Sequence, residues 1–321
     1  MNVLIIGLGS AGQRHARVLR EAFPLSKIDF YRGNHFLGLI SKDLSEIDNS
    51  IDPGNFYGLI EIKSFDMITK SYQLIIIATP PDSHMWYLNL LKDKSNKFLI
   101  EKPISNIYQN FENYRQDILS NKLEILVGYQ HFYNPIFNYI SNKITDKNKT
   151  KSIFMKHFEP LTKMNPFRKM ERHHLNYNSS GGVLLALSHE IDFCLRLFPE
   201  LYGSLTAEFL EKKISLRVKK SCVVSSNVRD NNVPKVKIQL SYSDDAVPER
   251  TGKVDIENVI YSWDLNRKVI MMETPHEKHT KKFTFTSDEL VKSMLVDFMG
   301  AGIDKQELLD RFDRATYITQ I

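Results

Sequence analysis

The sequence predicts an α/β protein of two domains: a parallel sheet wrapped by helices, then an α+β domain on an open, mainly antiparallel sheet. Three observations lead there. The chain has 321 residues, room for about two cores. Up to about residue 125, apolar strand-like runs alternate with helical stretches, as in a parallel sheet with right-handed crossovers. Beyond residue 130, longer alternating runs dominate and helices thin out, the pattern of an antiparallel sheet. The domains are placed at 1–125 and 126–321, with no low-complexity linker between them.

The individual elements follow from local pattern. Strands are expected at NVLIIG (2–7), KIDFYR (27–32), QLIIIAT (73–79), KFLIEK (97–102) and LEILVGY (123–129), with helices over 12–22, 83–93 and 107–120. In the second part, alternation marks strands at 152–158, 206–217, 221–228, 234–243, 253–263 and 267–273. Helices near 287–299 and 304–320 close the chain.

Composition narrows the function classes. Hydrophobic residues make up 42% and charged residues 25%, as in ordinary soluble proteins. The net charge of +5 is not gathered into a Lys/Arg block, which argues against nucleic-acid and membrane partners and suits an anionic ligand. Cys194 and Cys222 lack a metal-type spacing and fit reduced thiols in a cytoplasmic protein; no metal site is read from the His, Asp and Glu pattern. The longest apolar runs are too short to span a bilayer. MNVLIIGLG lacks the basic start of a secretory signal and reads as a strand.

That first strand leads into GLGSAG, with Gly7, Gly9 and Gly12 in a GxGxxG pattern opening a helix, and Ser10 and Ala11 between them. In this context Gly7 permits a tight turn, Gly9 lets the backbone approach a pyrophosphate, and Gly12 lets helix and strand pack closely. The helix N-terminus then offers N–H groups and a dipole to phosphates. At the end of the second strand, where an acid would hold an NAD ribose, the chain reads Tyr31-Arg32-Gly33-Asn34. Asp29 lies too early for that role. A guanidinium there suits a 2′-phosphate, so NADP is favoured over NAD, with a solvated surface arginine as the plain alternative.

Two further stretches fall at carboxyl ends of strands, where a doubly wound sheet binds its ligand: ATPPDSH (78–84) and IEKPIS (100–105). Lys102 puts an ammonium there that can bond a substrate hydroxyl or act as acid or base, although a Lys-Pro pair at a strand end also reads as a turn. Residues 181–192, GGVLLALSHEID, combine an apolar helical run with His189 and Asp192 three residues apart on one face. A core helix ending at the surface is the plain reading; an imidazole poised for proton transfer is the functional one.

Taken in order, GLGSAGQRH, IIIATPPDSH, EKP and GGVLLALSHEID resemble the Gfo/Idh/MocA oxidoreductase family over essentially the whole chain. The resemblance implies an N-terminal Rossmann domain, a C-terminal domain whose open sheet lines the substrate site and often mediates oligomerisation, and a nicotinamide cofactor. It implies oxidation or reduction of a secondary hydroxyl or ketone on a sugar, cyclitol or nucleotide-sugar. Lys102 matches the lysine beside nicotinamide and substrate, and His189 the usual proton-transfer histidine. Glu101 matches a residue near the cofactor ribose, and Thr79 and Pro80 lie near the cofactor, with His84 grouped among the cofactor-binding residues.

The match has departures. Relatives ending in SHEID usually carry an acid where this chain has Ala186, and others carry it where Leu185 stands. Asp192, one turn later, is the candidate to take over that work. Ser180 replaces the first glycine of a common triplet, and Phe132 occupies a position often held by arginine. His131 and His157 are expected to line the crevice from the second domain, and His173 and His174 to lie in a substrate loop or a solvated one. The aromatic residues at 129–133 read more readily as core than as a substrate platform.

The leading reading is an NADP-dependent oxidoreductase of a sugar or nucleotide-sugar. The alternatives are a reductase of a non-carbohydrate ketone and a catalytically silent nucleotide-binding regulator. Lys102 and His189 speak for the enzyme, Ala186 for the regulator. An open sheet is expected to leave an apolar face uncovered, which points to a homodimer or homotetramer.

Overall fold

The computed structural model describes residues 1–33, 37–42, 46–144, 146–160, 181–210, 221–227, 233–243, 247–300 and 302–321. It divides into two compact units, one of Met1–Gly128 with Ser287–Thr319, the other of Tyr129–Thr286 with the last two residues. Residues 287–319 thus pack with the first unit, whereas the sequence pattern had placed all of 126–321 in the second.

In the first unit the strands are β1 (Asn2–Ile6), β2 (Lys27–Tyr31), a short hairpin of β3 (Leu39–Ile40) and β4 (Ile47–Asp48), β5 (Ile60–Glu61), β6 (Leu74–Ile77), β7 (Lys97–Ile100) and β8 (Glu124–Val127). Six of them form one parallel sheet in the order β5-β2-β1-β6-β7-β8. That is the doubly wound Rossmann order, with its switch point between β1 and β6. Helices cover both faces, so the central strands read as unbroken apolar runs: Val3–Ile6 and Leu74–Ile77 are all fully buried. The run at the start of the chain is therefore the central strand β1.

The helices are α1 (Ser10–Ala22), α2 (Pro53–Phe56), α3 (His84–Leu91) and α4 (Glu112–Leu119). Asp52 caps α2, accepting from the Gly54 N–H at 2.7 Å, and Pro53 sits in the first turn, where no intrahelical N–H is needed.

The second unit holds α5 (Pro135–Lys143), α6 (Gly182–Ala186), α7 (His189–Leu197) and eight strands: β9 (Thr150–Pro160), β10 (Leu205–Phe209), β11 (Ser221–Ser226), β12 (Lys235–Ser243), β13 (Glu249–Ile256), β14 (Val259–Asp264), β15 (Val269–Glu273) and β16 (Lys278–Lys282). Their order is β10-β11-β12-β9-β13-β14-β15-β16. Every pair is antiparallel except β12–β9. The expected single run at 253–263 is a hairpin, β13 and β14, reversing at Glu257–Asn258 with Glu257 at φ +53. Strand β16 and helix α5 were not read from the sequence, and parts of the runs at 206–217 and 221–228 lie outside the described residues.

Helices α6 and α7 lie against β11 and β12, on the face where Ile153, Met155, Val236, Ile238, Leu240 and Val254 are buried. The opposite face differs from the apolar surface expected. Strand alternation places Lys156, Lys237, Gln239, Thr251, Lys253 and Ser262 there. The Phe154 and Phe158 rings lie under the Lys156 ammonium, at 5.9 and 5.8 Å. Among the described residues of β9 and β12–β14 this face is mixed and largely polar, so the premise for assembly through it falls away.

The chain returns to the first unit in α8 (Ser287–Met299) and α9 (Lys305–Ile318). Helix α8 packs on α1, and α9 on α4 and β8. They bury Leu290, Leu295, Phe298, Leu309 and Phe312, and the Arg17–Asp288 and Arg115–Asp313 pairs pin them at 2.7 and 3.0 Å.

Candidate active site

The turn from β1 into α1 is shaped by what glycine lacks. Gly7 has φ +91, and a Cβ there would lie 2.7 Å from the Ala78 carbonyl oxygen; at Gly12 it would lie 2.0 Å from that of Gly7. At Gly9 it would meet nothing within 4 Å, so the turn is open at that point. Helix α1 starts there with no side-chain cap among the described residues and no acid in its first turn. A helix start of this kind, whose first-turn N–H groups have no intrahelical acceptor, binds anions through those groups and its dipole. The cradle fits a dinucleotide pyrophosphate, with Gly7, Gly9, Ser10, Ala11 and Gly12 as its backbone.

Arg32 follows β2 directly, yet it is not the unengaged fork the sequence suggested. Its Nε donates to Glu61 Oε1 at 2.8 Å, and its Nη2 lies 2.8 Å from Asp52 Oδ2. Burial alone would lower its pKa, but the two carboxylates overcome this and raise it. Lys63 also contacts Glu61, so the cluster holds two cationic and two anionic side chains. Asp29 is buried within β2, bonded by the Tyr72 hydroxyl and the Lys70 ammonium at 2.7 Å each, in keeping with no role at the ribose.

The ends of β6 and β7 carry the next two motifs. Thr79 is half-buried, and its hydroxyl accepts from Ser83 Oγ at 2.8 Å. Lys102 is half-buried just past β7, and the Lys102–Pro103 peptide is cis. Glu101 takes a bond at 2.7 Å from His15 of α1. Burial would raise its pKa, but His15, with Arg14 and Lys102 nearby, holds it lowered and the carboxylate ionised. His84 departs from its expected role. It is fully buried, with its ring nitrogens 3.0 Å from the Pro103 carbonyl oxygen and 2.8 Å from that of Thr79. Its polar atoms meet backbone, so it braces loops and presents no surface to a cofactor.

In the second unit, GGVLLALSHEID forms two helices rather than one. Helix α6 ends at Ala186, and α7 begins at His189. Between them Ser188 Oγ donates back to the Leu185 carbonyl at 2.9 Å and lies 3.1 Å from the Tyr129 hydroxyl. His189 therefore opens a helix instead of interrupting one, with Glu190 and Asp192 in the first turn, where negative charge is favoured. Its ring packs edge-to-face on His131 at 4.6 Å and on Tyr129 at 5.6 Å. His189 and Asp192 are both buried, and Ala186 and Leu185, where relatives carry an acid, are buried in α6.

Beneath His189 runs a charged network the sequence reading missed. Glu190, 2% exposed, accepts from Arg250 Nε at 2.6 Å and bonds His157 Nδ1 at 3.0 Å. Arg250 Nη1 lies 2.8 Å from His131 Nε2, and His157 Nε2 lies 3.2 Å from Glu159. Burial alone would raise the Glu190 pKa; the Arg250 and His157 charges and bonds hold it far below the usual carboxylate range. His157 is thus a buried structural partner and not a lining group. Tyr129 is core, as read. The Phe132 ring lies under the Arg196 guanidinium at 4.3 Å, so an arginine from α7 occupies this neighbourhood. Cys194 and Cys222 are free and buried, and burial, with Glu190 and Asp192 nearby, pushes the Cys194 thiol up. His173, His174, Asn34 and Ser180 lie outside the described residues.

An anion cradle at the switch point of a six-stranded parallel sheet defines a dinucleotide-binding α/β protein. Residues 1–129 match the model of the Gfo/Idh/MocA oxidoreductase family, described as an oxidoreductase family with an NAD-binding Rossmann fold. No curated protein matches the chain. Among solved structures, UDP-N-acetylglucosamine 3-dehydrogenase from Acidithiobacillus ferrooxidans is 14% identical, covering 98% of this chain and 95% of its own, with a TM-score of 0.72. Biliverdin reductase from Synechocystis, solved with biliverdin and NADP+, is 15% identical over 99% and 98%, with a TM-score of 0.71. A 3-ketoreductase from Actinomadura kijaniata, solved with TDP-benzene and NADP, is 12% identical over 99% and 95%, with a TM-score of 0.74. At such identities the likeness establishes the fold.

Proposed function

We propose that the protein moves a hydride between NADP(H) and a secondary alcohol or ketone on a sugar, cyclitol or nucleotide-sugar. The observation that carries this is the cradle of Gly7, Gly9 and Gly12 on the same sheet end as Lys102. The nicotinamide supplies or accepts the hydride. The Lys102 ammonium donates a hydrogen bond to the substrate oxygen, favouring the negative charge that develops as a ketone is reduced. His189 gives or takes the hydroxyl proton, help worth ~10²–10⁴ in rate, and Asp192 orients it in place of the acid missing at Ala186.

NADP preference rests on Arg32, placed directly after β2. Because Asp52 and Glu61 also contact this guanidinium, a 2′-phosphate competes with them, and the preference is expected to be moderate. Binding is tested by NADPH fluorescence, and function by turnover against a panel of keto-sugars and nucleotide-sugars. A tetrapyrrole belongs in the panel, since a neighbour of the same fold was solved with biliverdin. NADPH binding without turnover on any member would favour a silent regulator.

A further inference from the structure

Lys102 stands between two residues that buried histidines hold. On one side, His15 of α1, fully buried, lies with Nε2 2.7 Å from Glu101 Oε1. The ionised carboxylate can only accept, so His15 donates from Nε2. The other carboxylate oxygen, Oε2, accepts from the Lys102 backbone N–H at 3.3 Å. The His15 Nδ1 atom is buried with no hydrogen-bond partner among the described residues, so the Glu101 bond is what orients the ring. On the other side, His84 opens α3 and its ring is wedged between two carbonyl oxygens, with Nδ1 3.0 Å from that of Pro103 and Nε2 2.8 Å from that of Thr79. The first histidine comes from the helix after the glycine turn, the second from the helix after the Thr79–Pro80 turn.

We propose that His15 and His84 are positioning residues for Lys102, fixing its backbone from both sides through Glu101 and through the Pro103 carbonyl. The proposal rests on the reading that Lys102 acts on the substrate oxygen. Neither imidazole presents its ring to a ligand surface, yet each bond ends on the residue before or after the lysine. A side chain that must donate along one direction depends on a fixed backbone origin, and a misplacement of about 1 Å costs on the order of 10²-fold in rate.

The test uses the full chain in four variants: His15→Leu and His84→Phe, which remove the bonds, and His15→Gln and His84→Gln, which keep a donor. Hydrogen exchange at the Lys102 amide is measured beside kcat, KM and the NADPH Kd. In His15→Leu the Lys102 amide is expected to exchange about tenfold faster or more, since its acceptor loses its anchor. In both bond-removing variants kcat is expected to fall about tenfold or more with NADPH Kd within about threefold, and the Gln variants to recover a large part. Should His84→Phe not fold, His84→Gln carries that arm, with a smaller fall in kcat and a steady Kd expected. Unchanged Lys102 exchange and kcat in the folded bond-removing variants would overturn the proposal, as would losses of kcat and NADPH binding that only track thermal stability. Full turnover in Lys102→Met would sink the reading of Lys102 itself, while the exchange data would still judge the two histidines.

Discussion

Glu190 offers the sharpest test of how the histidine-bearing helix is held. Glu190→Gln keeps the shape and removes the charge. In the native protein its two oxygens engage Arg250 Nε at 2.6 Å and His157 Nδ1 at 3.0 Å, with the residue 2% exposed. Hydrogen bonds to charged groups contribute roughly 1.5–3 kcal/mol each, and breaking a buried ion pair by removing one partner costs about 3–5 kcal/mol, since the surviving charge is left uncompensated. For a unit of this size roughly 2–4 °C accompany each kcal/mol, so the melting temperature should fall by about 6–20 °C. Trp263 fluorescence in a Trp86→Phe background reports on the second unit alone, as the two tryptophans lie in different units. The double variant Glu190→Gln with Arg250→Met removes both charges and should regain part of the loss. Acid supplies a further check. The folded Glu190 pKa lies below its ordinary value of 4.5, so its stabilisation is complete above that pH and is lost as pH falls toward the folded pKa. The gap between wild type and variant should therefore narrow below about pH 4.5. A fall in melting temperature under 2 °C at neutral pH, or a gap that does not change with acid, would refute the reasoning.

Other expectations are as direct. Arg32→Ala should weaken NADPH binding and leave NADH nearly unaffected, while Glu61→Gln should strengthen NADPH binding by removing a competing carboxylate; titrations in low and high salt measure both, and equal affinities of the wild type for the two cofactors would count against the role of Arg32. Lys102→Ala and His189→Ala should each lower kcat by roughly 10²-fold or more with NADPH affinity almost unchanged, and full turnover in His189→Ala would make it a packing residue. A loss in Asp192→Asn comparable to that in His189→Ala would assign Asp192 to proton transfer, whereas native kinetics would exclude it. Gly12→Ala should abolish cofactor binding, because its Cβ would lie 2.0 Å from the Gly7 carbonyl oxygen, and calorimetry with NADPH settles the point.

Much of the first unit was legible because its signals are local. Strand β1, the glycine turn and α1 are contiguous; Gly12 answers to Gly7 a few residues back and Gly7 to Ala78 at the end of the adjacent strand, while Gly9 faces open space. The ends of β6 and β7 were legible for the same reason, the apolar runs stopping at Thr79 and Glu101. The break between α6 and α7 was not: no proline marks it, and it coincides with Ser188 bonding both Leu185 and Tyr129. Nor was the Glu190–Arg250 pair, whose members are 60 residues apart in sequence and meet only once β13 is laid beside β9. The alternation of β12 and β13 did carry a readable signal, since polar residues at every second position (Lys235, Lys237, Gln239 in one, Thr251, Lys253, Asp255 in the other) already describe a polar face. The sequence places Arg32 at the end of β2 but hides its company, as Asp52 caps α2 and Glu61 lies in β5, beyond the β3–β4 hairpin.

The return of α8 and α9 to the first unit has a bearing on how the protein is made. The dinucleotide-binding half is interrupted by more than a hundred and fifty residues of another fold, so on the ribosome its sheet emerges early while the helices that cover α1, α4 and β8 emerge last. Until then the surfaces that will meet Leu290, Leu295, Phe298 and Phe312 lie open, the period in which nascent chains are most prone to aggregate or to need a chaperone. A gene cut after Gly128 would keep the glycine turn, Arg32 and Lys102 and still leave that core unsealed. Supplying residues 287–319 as a separate peptide, or splicing them directly after Gly128, is the route to a free-standing cofactor domain.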